Sequence, residues 1–309
     1  MNSAPLAEPS ANGALTGFIG TGMMGLRMAR NLQRAGIRLV VHNRTRERAQ
    51  ALVSNGAQWA DSPGDVGRSV GAGLIFLMLR DGPALRAVLS GPDGLVRGTS
   101  RGGLVVDHST VDPADSRWAA MRLARRGAHF LDAPVGGSIG PAERGELTFF
   151  VGGATADVDR ARPFLDRMGR RIEELGPVGM GSSMKLVNNL MTIGTVGLIS
   201  EALGLSEGLG LPRDRVIEIL RKGGGASAML EGKREKLRTR EYSPEFLLPL
   251  ARKDLFLVER VGRRQGLPTP LARDARRLCD RALAEGHGAD DFSSMAEAVR
   301  RRPRTETGV

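Results

Sequence analysis

Over the first half of the chain, apolar residues fall in short unbroken runs, and the stretches between those runs carry them at helical spacing. Leu15-Thr16-Gly17-Phe18-Ile19-Gly20 reads as a short buried strand. Gly22 to Ala35 then sets Met24, Met28 and Leu32 along one side of a helix that Gly36 stops, and Ile37 to Val41 reads as a second strand. A strand, a helix and a parallel strand within about thirty residues form a βαβ unit with a right-handed crossover. Ser62-Pro63 has the form of a helix cap followed by a first helical position. Leu74 to Leu79 is apolar without a break, as a strand covered by helices on both faces must be. Leu104 to Asp107 follows the same rule, Pro113 to Arg126 reads as a helix ended by Gly127, and Phe130 to Ala133 and Leu147 to Val151 read as two more strands. The pattern predicts an α/β fold with a doubly wound parallel sheet.

After Pro177 the pattern changes. Met184 to Leu209 is one long apolar-rich segment without proline, too long for an ordinary globular helix unless it is packed on most sides. Leu211-Pro212, Ser243-Pro244 and Leu267-Pro268 punctuate further helical stretches, with no convincing strand among them. The boundary therefore falls between Gly176 and Gly181. This gives an α/β domain over 15–178 and an all-helical domain over 179–309, preceded by a disordered tail at 1–14. A length of 309 residues agrees with two cores rather than one.

Composition narrows the chemistry. Hydrophobic residues at 41% and charged residues at 26% describe a globular chain, and aromatics at 4% leave few platforms for stacking nucleic-acid bases. The single cysteine, Cys279, excludes an internal disulfide framework and a thiolate zinc site. Neither Cys279 nor His42, His108, His129 or His287 shows metal-ligand spacing, so no metal is expected. The net charge is +11, yet the arginines are scattered and commonly sit beside acids, as in Arg44-Thr45-Arg46-Glu47-Arg48; only Arg300-Arg301-Arg302-Pro303-Arg304 forms a run. A solvated basic surface that helps draw in small anions is expected, with no nucleic-acid partner. Met1 to Ala14 lacks the basic start and apolar core of a secretion signal, and Leu74 to Leu79 is far short of a membrane span. The expectation is a cytoplasmic protein with no membrane partner.

Gly20-Thr21-Gly22-Met23-Met24-Gly25 fits G-x-G-x-x-G at the first strand-to-helix junction. There Gly20 permits the tight turn, Gly22 lets a pyrophosphate approach the backbone, and Gly25 lets the helix lie against the strand. The free N–H groups at the helix start, around Met23 and Met24, then face the anion. An NAD-selective site wants an acid about twenty residues on, to bond the ribose 2′-hydroxyl. Here the chain reads His42-Asn43-Arg44-Thr45 instead. A carboxylate would repel the 2′-phosphate of NADP, whereas Arg44 can pair with it and Asn43 and Thr45 can donate hydrogen bonds. NADPH is thus preferred over NADH. Leu79, Arg80 and Thr110 fall at strand ends on the carboxyl side of the sheet, where cofactors bind in such folds.

Gly17 to Gly25, Asp107-His108-Ser109-Thr110, Asp132-Ala133-Pro134-Val135-Gly136-Gly137-Ser138, Gly179 to Asn189 and Lys253-Asp254-Leu255 occur in one order over roughly residues 15–295. Together they resemble the β-hydroxyacid dehydrogenase family, which includes 3-hydroxyisobutyrate dehydrogenase and glyoxylate/succinic semialdehyde reductase. The resemblance implies a Rossmann domain, a long interdomain helix and a helical domain used for dimerisation, giving a homodimer or homotetramer. It implies an NADP-dependent oxidoreductase that interconverts a small 3-hydroxy acid, or a 2-hydroxy acid such as glycolate, with its semialdehyde or oxo acid. Lys185 would be the general acid/base, since an ammonium can stabilise the oxyanion left by hydride delivery and give it a proton. Asn189, four residues later on the same helix face, would hold the substrate. By the same resemblance, Ser109, Gly136, Gly137 and Ser138 bind the substrate carboxylate, the last three through backbone N–H groups, and Lys253 approaches the cofactor unless it forms an ion pair with Asp254. The commonest family form has serine where Gly136 stands and glycine next, and often proline where Arg80 stands. Gly140-Pro141-Ala142-Glu143 looks more like the glyoxylate/succinic semialdehyde branch. A decarboxylating 6-phosphogluconate-type enzyme is excluded, because Asn188-Asn189-Leu190-Met191-Thr192-Ile193-Gly194 carries no acid to protonate an enol. The alternatives are an imine reductase-like enzyme of the same fold, which commonly replaces the lysine, and a non-catalytic NADP-binding module or basic DNA-associated protein.

Overall fold

The computed structural model describes residues 14–299. Of the expected tail only Ala14 is included, and the Arg300–Arg304 run lies outside the described residues. The chain divides into two units, Met1–Lys185 and Leu186–Val309.

In the first unit six parallel strands form one sheet: β1 (Thr16–Ile19), β2 (Leu39–His42), β3 (Gln58–Trp59), β4 (Leu74–Leu77), β5 (Leu104–Asp107) and β6 (His129–Asp132), in the order β3-β2-β1-β4-β5-β6. The unbroken apolar runs explain this sheet. Successive side chains leave opposite faces of a strand. In β4 accordingly Phe76 enters one core cluster while Ile75 and Leu77 enter the other, and Phe18/Ile19 in β1 and Leu131/Phe130 in β6 divide in the same way. Each fully buried side chain of this size contributes about 2 kcal/mol. The crossovers follow the punctuation read from the sequence. α1 runs over Met23–Arg34, and Ser62 caps the helix Pro63–Val70 by accepting a hydrogen bond from the Asp65 N–H at 3.1 Å.

One expectation is corrected in detail. Leu147 to Val151 does form a strand, but it does not extend the six-stranded sheet. It is β8 (Leu147–Val151) of a separate sheet, pairing antiparallel with β7 (Val135–Gly136) and parallel with β9 (Gly169–Glu174). The Asp132-Ala133-Pro134 turn redirects the chain after β6, and the Pro134 carbonyl accepts the Phe150 N–H at 3.0 Å. Leu147, Phe149 and Val151 still face the first core cluster.

The second unit is helical. The helix Met180–Gly208 starts in the first unit and is followed by Arg213–Leu220, Ala228–Thr239, Leu248–Arg264 and Pro270–Ala284. Among its described residues the only β pairing is a bridge between Leu247 and Asp291. Ile193, Val196, Leu255, Leu278 and Cys279 form its centre. At one side Lys233, 7% exposed, donates to Asp291 at 3.0 Å and to Glu245 at 2.8 Å, and Asp291 also accepts the N–H groups of Glu245, Phe246 and Ser293. The long helix is not packed on most sides as its composition suggested: Met191, Leu198 and Leu205 form an exposed stripe within its own unit. By length and composition it could cross a bilayer, although 44% of its apolar window is buried within the protein.

Candidate active site

Gly20, at the carboxyl end of β1, has φ +97°, and a Cβ there would lie 2.3 Å from the Met78 carbonyl oxygen. A Cβ on Gly25 would lie 2.0 Å from the Gly20 carbonyl oxygen. Both positions demand glycine for the turn itself. Gly22 is different. A Cβ there meets nothing within 4 Å, so the glycine faces open space. α1 begins just beyond it, with no side-chain cap and no acid in the first turn, which leaves helix-terminal N–H groups for an anion. These features fit a dinucleotide pyrophosphate. Met23 is 40% exposed, whereas Met24 packs against the first core, which leaves its backbone alone for ligand contact.

The loops that follow β2, β4 and β5 are tied to this turn or to one another. Asn43 Oδ1 accepts the Thr21 N–H at 3.1 Å, and its Nδ2 donates to the Thr45 carbonyl at 2.7 Å; Arg44 and Thr45 are exposed beside it. The Leu79 N–H donates to Ser109 Oγ at 2.8 Å. Ser109, almost fully buried, gives its hydroxyl proton to Asp107 Oδ1 at 2.5 Å, so this hydroxyl stitches the β4 and β5 loops together and has no proton left for a substrate. Arg80 pairs with Asp81 at 2.9 Å, and Asp81 caps the next helix. Thr110 is half-buried at the end of β5. His108 donates from Nδ1 to the Ala133 carbonyl at 2.7 Å and stacks on Phe76; burial pushes its pKa down to about 4, leaving it neutral and unfit as a proton donor near pH 7.

Asp132, at the end of β6, holds the start of the long helix. Its carboxylate accepts the Gly179 N–H and the Ser182 N–H, each at 2.7 Å, while Ser182 Oγ and Ser116 Oγ lie 2.8 Å apart. A Cβ at Gly181 would lie 2.1 Å from the Phe150 carbonyl oxygen, so helix and strand backbones touch here. Burial raises the Asp132 pKa to about 6 despite these hydrogen bonds. Lys185 follows Ser182 by three residues and is half-buried. Gly136 ends β7, Gly137 has φ +118° and Ser138 precedes a short helix (Ile139–Arg144), so three successive residues expose backbone in a bend.

In the second unit Asn189, 2% exposed, donates from Nδ2 to Asp254 Oδ2 at 2.6 Å, and its Oδ1 accepts from Asn188 at 3.2 Å. Lys253 Nζ lies 2.9 Å from Asp254 Oδ1, so the ion pair that the sequence allowed is formed. Both candidate side chains thus converge on Asp254. Sequence reasoning missed the part played by Asp132 and the bond from Asn189 to Asp254, although both acids lie inside the motifs it quoted. Among the described residues no group of three or more His, Cys, Asp or Glu could hold a metal ion.

Comparison with known proteins agrees with this layout. Residues 16–176 match the NAD binding domain of 6-phosphogluconate dehydrogenase, and residues 179–299 match the NAD-binding domain of NADP-dependent 3-hydroxyisobutyrate dehydrogenase. The chain is 36% identical over 284 residues to glyoxylate/succinic semialdehyde reductase 2, chloroplastic, of Arabidopsis thaliana, covering 92% of this chain and 79% of the relative. It is 34% identical over 288 residues to the 3-sulfolactaldehyde reductase of Escherichia coli, covering 93% and 96%. The crystal structure of a 3-hydroxyisobutyrate dehydrogenase from Salmonella typhimurium superposes with a TM-score of 0.82 at 27% identity, covering 92% of this chain and 99% of that one. A glycine turn built for a pyrophosphate, a helical second unit and relatives of this kind lead to one conclusion: the chain belongs to the β-hydroxyacid dehydrogenase family, as an oxidoreductase with NAD(P)-binding domains.

Proposed function

We propose that this protein is an NADP-preferring reductase of small carboxylate-bearing aldehydes, or dehydrogenase of the corresponding 3-hydroxy acids, with Lys185 as its proton-transfer group. One observation carries the reading. Asp132, on the strand whose end faces the same way as the glycine turn, binds the start of the helix that bears Lys185. A lysine held on a fixed helical turn suits repeated proton transfer at one point. The nicotinamide, when bound, supplies or accepts the hydride. Lys185 Nζ gives a proton to the carbonyl oxygen in reduction and takes it from the hydroxyl in oxidation. The backbone N–H groups of Gly136, Gly137 and Ser138 receive the carboxylate. Ser109 orders the neighbouring loops, which replaces its expected role as a substrate donor. Asn189 has one amide proton beyond the bond to Asp254, and that proton is available to a substrate oxygen. The ion pair with Asp254 orients the Lys253 ammonium toward the cofactor rather than replacing that role.

The names of the relatives, glyoxylate/succinic semialdehyde and 3-sulfolactaldehyde reductases, support short acids with a carbonyl a few bonds from an anionic group. Arg44 without an acid beside the ribose position supports NADPH. The exposed Met191, Leu198 and Leu205 support assembly as a homodimer or homotetramer, which with cytoplasmic residence belongs to the same proposal. The test is a panel of glyoxylate, succinic semialdehyde and methylmalonate semialdehyde with each cofactor, and of the matching hydroxy acids in reverse. Turnover of at least one with NADPH faster than with NADH is expected. Tight NADPH binding with no turnover of any small aldehyde acid would point to a non-catalytic module.

A further inference from the structure

The segment after β2 carries three arginines, Arg44, Arg46 and Arg48, in a chain whose arginines otherwise pair widely with acids. Among the described residues none of the three side chains has an ion pair or hydrogen bond. Arg46 nevertheless has a fixed neighbour: its guanidinium carbon lies 5.2 Å from the centre of the Trp59 ring. Trp59 is held in turn from several sides. Its backbone pairs with Val41 of β2, its ring lies 5.6 Å from that of His42, and its Nε1–H donates to Asp61 Oδ1 at 2.7 Å. Asp61 therefore accepts from the indole, and among the described residues it forms no ion pair with Arg46. Glu47, the adjacent acid in sequence, is exposed and forms no ion pair with Arg46 among the described residues.

A guanidinium laid against an aromatic face keeps its N–H edge directed outward and loses little further freedom when it binds. Asn43 ties this segment to the glycine turn through the Thr21 N–H, so the two parts of a dinucleotide site are mechanically joined. We infer that Arg46, positioned by Trp59, acts with Arg44 as a second determinant of selectivity for a phosphate monoester on the cofactor ribose. This inference rests on the NADP reading above and adds to it two residues that no motif singled out.

The experiment uses the full chain with Trp118→Phe, so that Trp59 is the sole tryptophan and its fluorescence reports cofactor binding directly, with calorimetry as a second readout. Arg46→Ala is expected to raise the Kd for NADPH about tenfold, the loss of one charge-assisted contact to phosphate, and to leave the Kd for NADH within about twofold. Trp59→Leu is expected to raise the NADPH Kd about threefold by releasing Arg46, while Trp59→Phe, which keeps a ring, retains most of the selectivity. Arg46→Ala should also flatten the salt dependence of NADPH binding. If Arg44→Ala removes the preference while Arg46→Ala and Trp59→Leu leave the NADH/NADPH ratio of Kd values unchanged, the role of Arg46 and Trp59 is overturned and the NADP reading stands. If the unaltered protein binds NADH as tightly as NADPH, the NADP reading itself falls, and this inference with it.

Discussion

Gly22→Ala separates folding from cofactor binding. The added methyl group meets no protein atom within 4 Å, and the backbone at φ −73° is one that alanine adopts freely. Gly22 is the N-cap of α1 and makes no side-chain bond, so alanine costs about 0.5–1 kcal/mol as a poorer cap. Reduced freedom of the unfolded chain offsets about 0.4–1 kcal/mol of that. Stability should stay within about 1 kcal/mol of the parent, a shift of only a few degrees in Tm. Binding should change far more. A methyl where a pyrophosphate must approach the backbone pulls the anion away from the helix-terminal N–H groups, each such charged contact being worth about 1.5–3 kcal/mol. Loss of two contacts raises the Kd for NADPH by about two to four powers of ten. Thermal unfolding and calorimetric titration on the same sample measure both quantities. Gly25→Ala is the contrast, because its Cβ would sit 2.0 Å from the Gly20 carbonyl oxygen and must disrupt the turn itself. Parent-like NADPH affinity in Gly22→Ala would refute the reasoning.

Three further outcomes follow from the packing. Asp132 holds its proton more tightly folded, at about 6, than unfolded, at 3.8. Its contribution to stability is therefore complete below about pH 4 and declines as pH rises through about 6. Relative to Asp132→Asn, which does not titrate, the parent should lose about 2 kcal/mol between about pH 4 and pH 7.5, and a flat difference in denaturant unfolding would contradict this. Asp291→Ala strands the buried Lys233 and three backbone N–H groups and should cost about 3–5 kcal/mol, whereas Lys233→Met leaves Asp291 its backbone donors and should cost about 1–2 kcal/mol in the same assay. Leu198→Glu places a charge in the exposed stripe and should shift the protein to monomer by light scattering; an unchanged mass would remove the stripe from the assembly interface.

Five strands of the six-stranded sheet were legible, because β1, β2, β4, β5 and β6 are largely buried on both faces and announce themselves by continuous apolar runs. β9 was not legible: Gly-Arg-Arg-Ile-Glu-Glu is too polar to read as a strand, and it forms because backbone pairing to β8 fixes it. The two-residue β3 and β7 carry no period at all. The glycine turn could be read because each glycine has a separate steric reason. The function of Asp132 could not, since its bonds reach 47 and 50 residues along the chain, and a carboxylate in a strand end gives no sign of the helix it will cap. Ser109 and Asn189 show the same limit from the other side. Their motifs named them as ligand donors, and tertiary neighbours decide how much of their hydrogen-bonding capacity remains.

The most direct measurement compares the unaltered protein with Lys185→Ala for NADPH affinity and for single-turnover NADPH oxidation by a small semialdehyde acid. The account predicts unchanged NADPH binding and a chemical step slowed by about 10²–10⁴-fold, the share that a positioned proton donor supplies. A Lys185→Ala protein that turns over at the parent rate would contradict it.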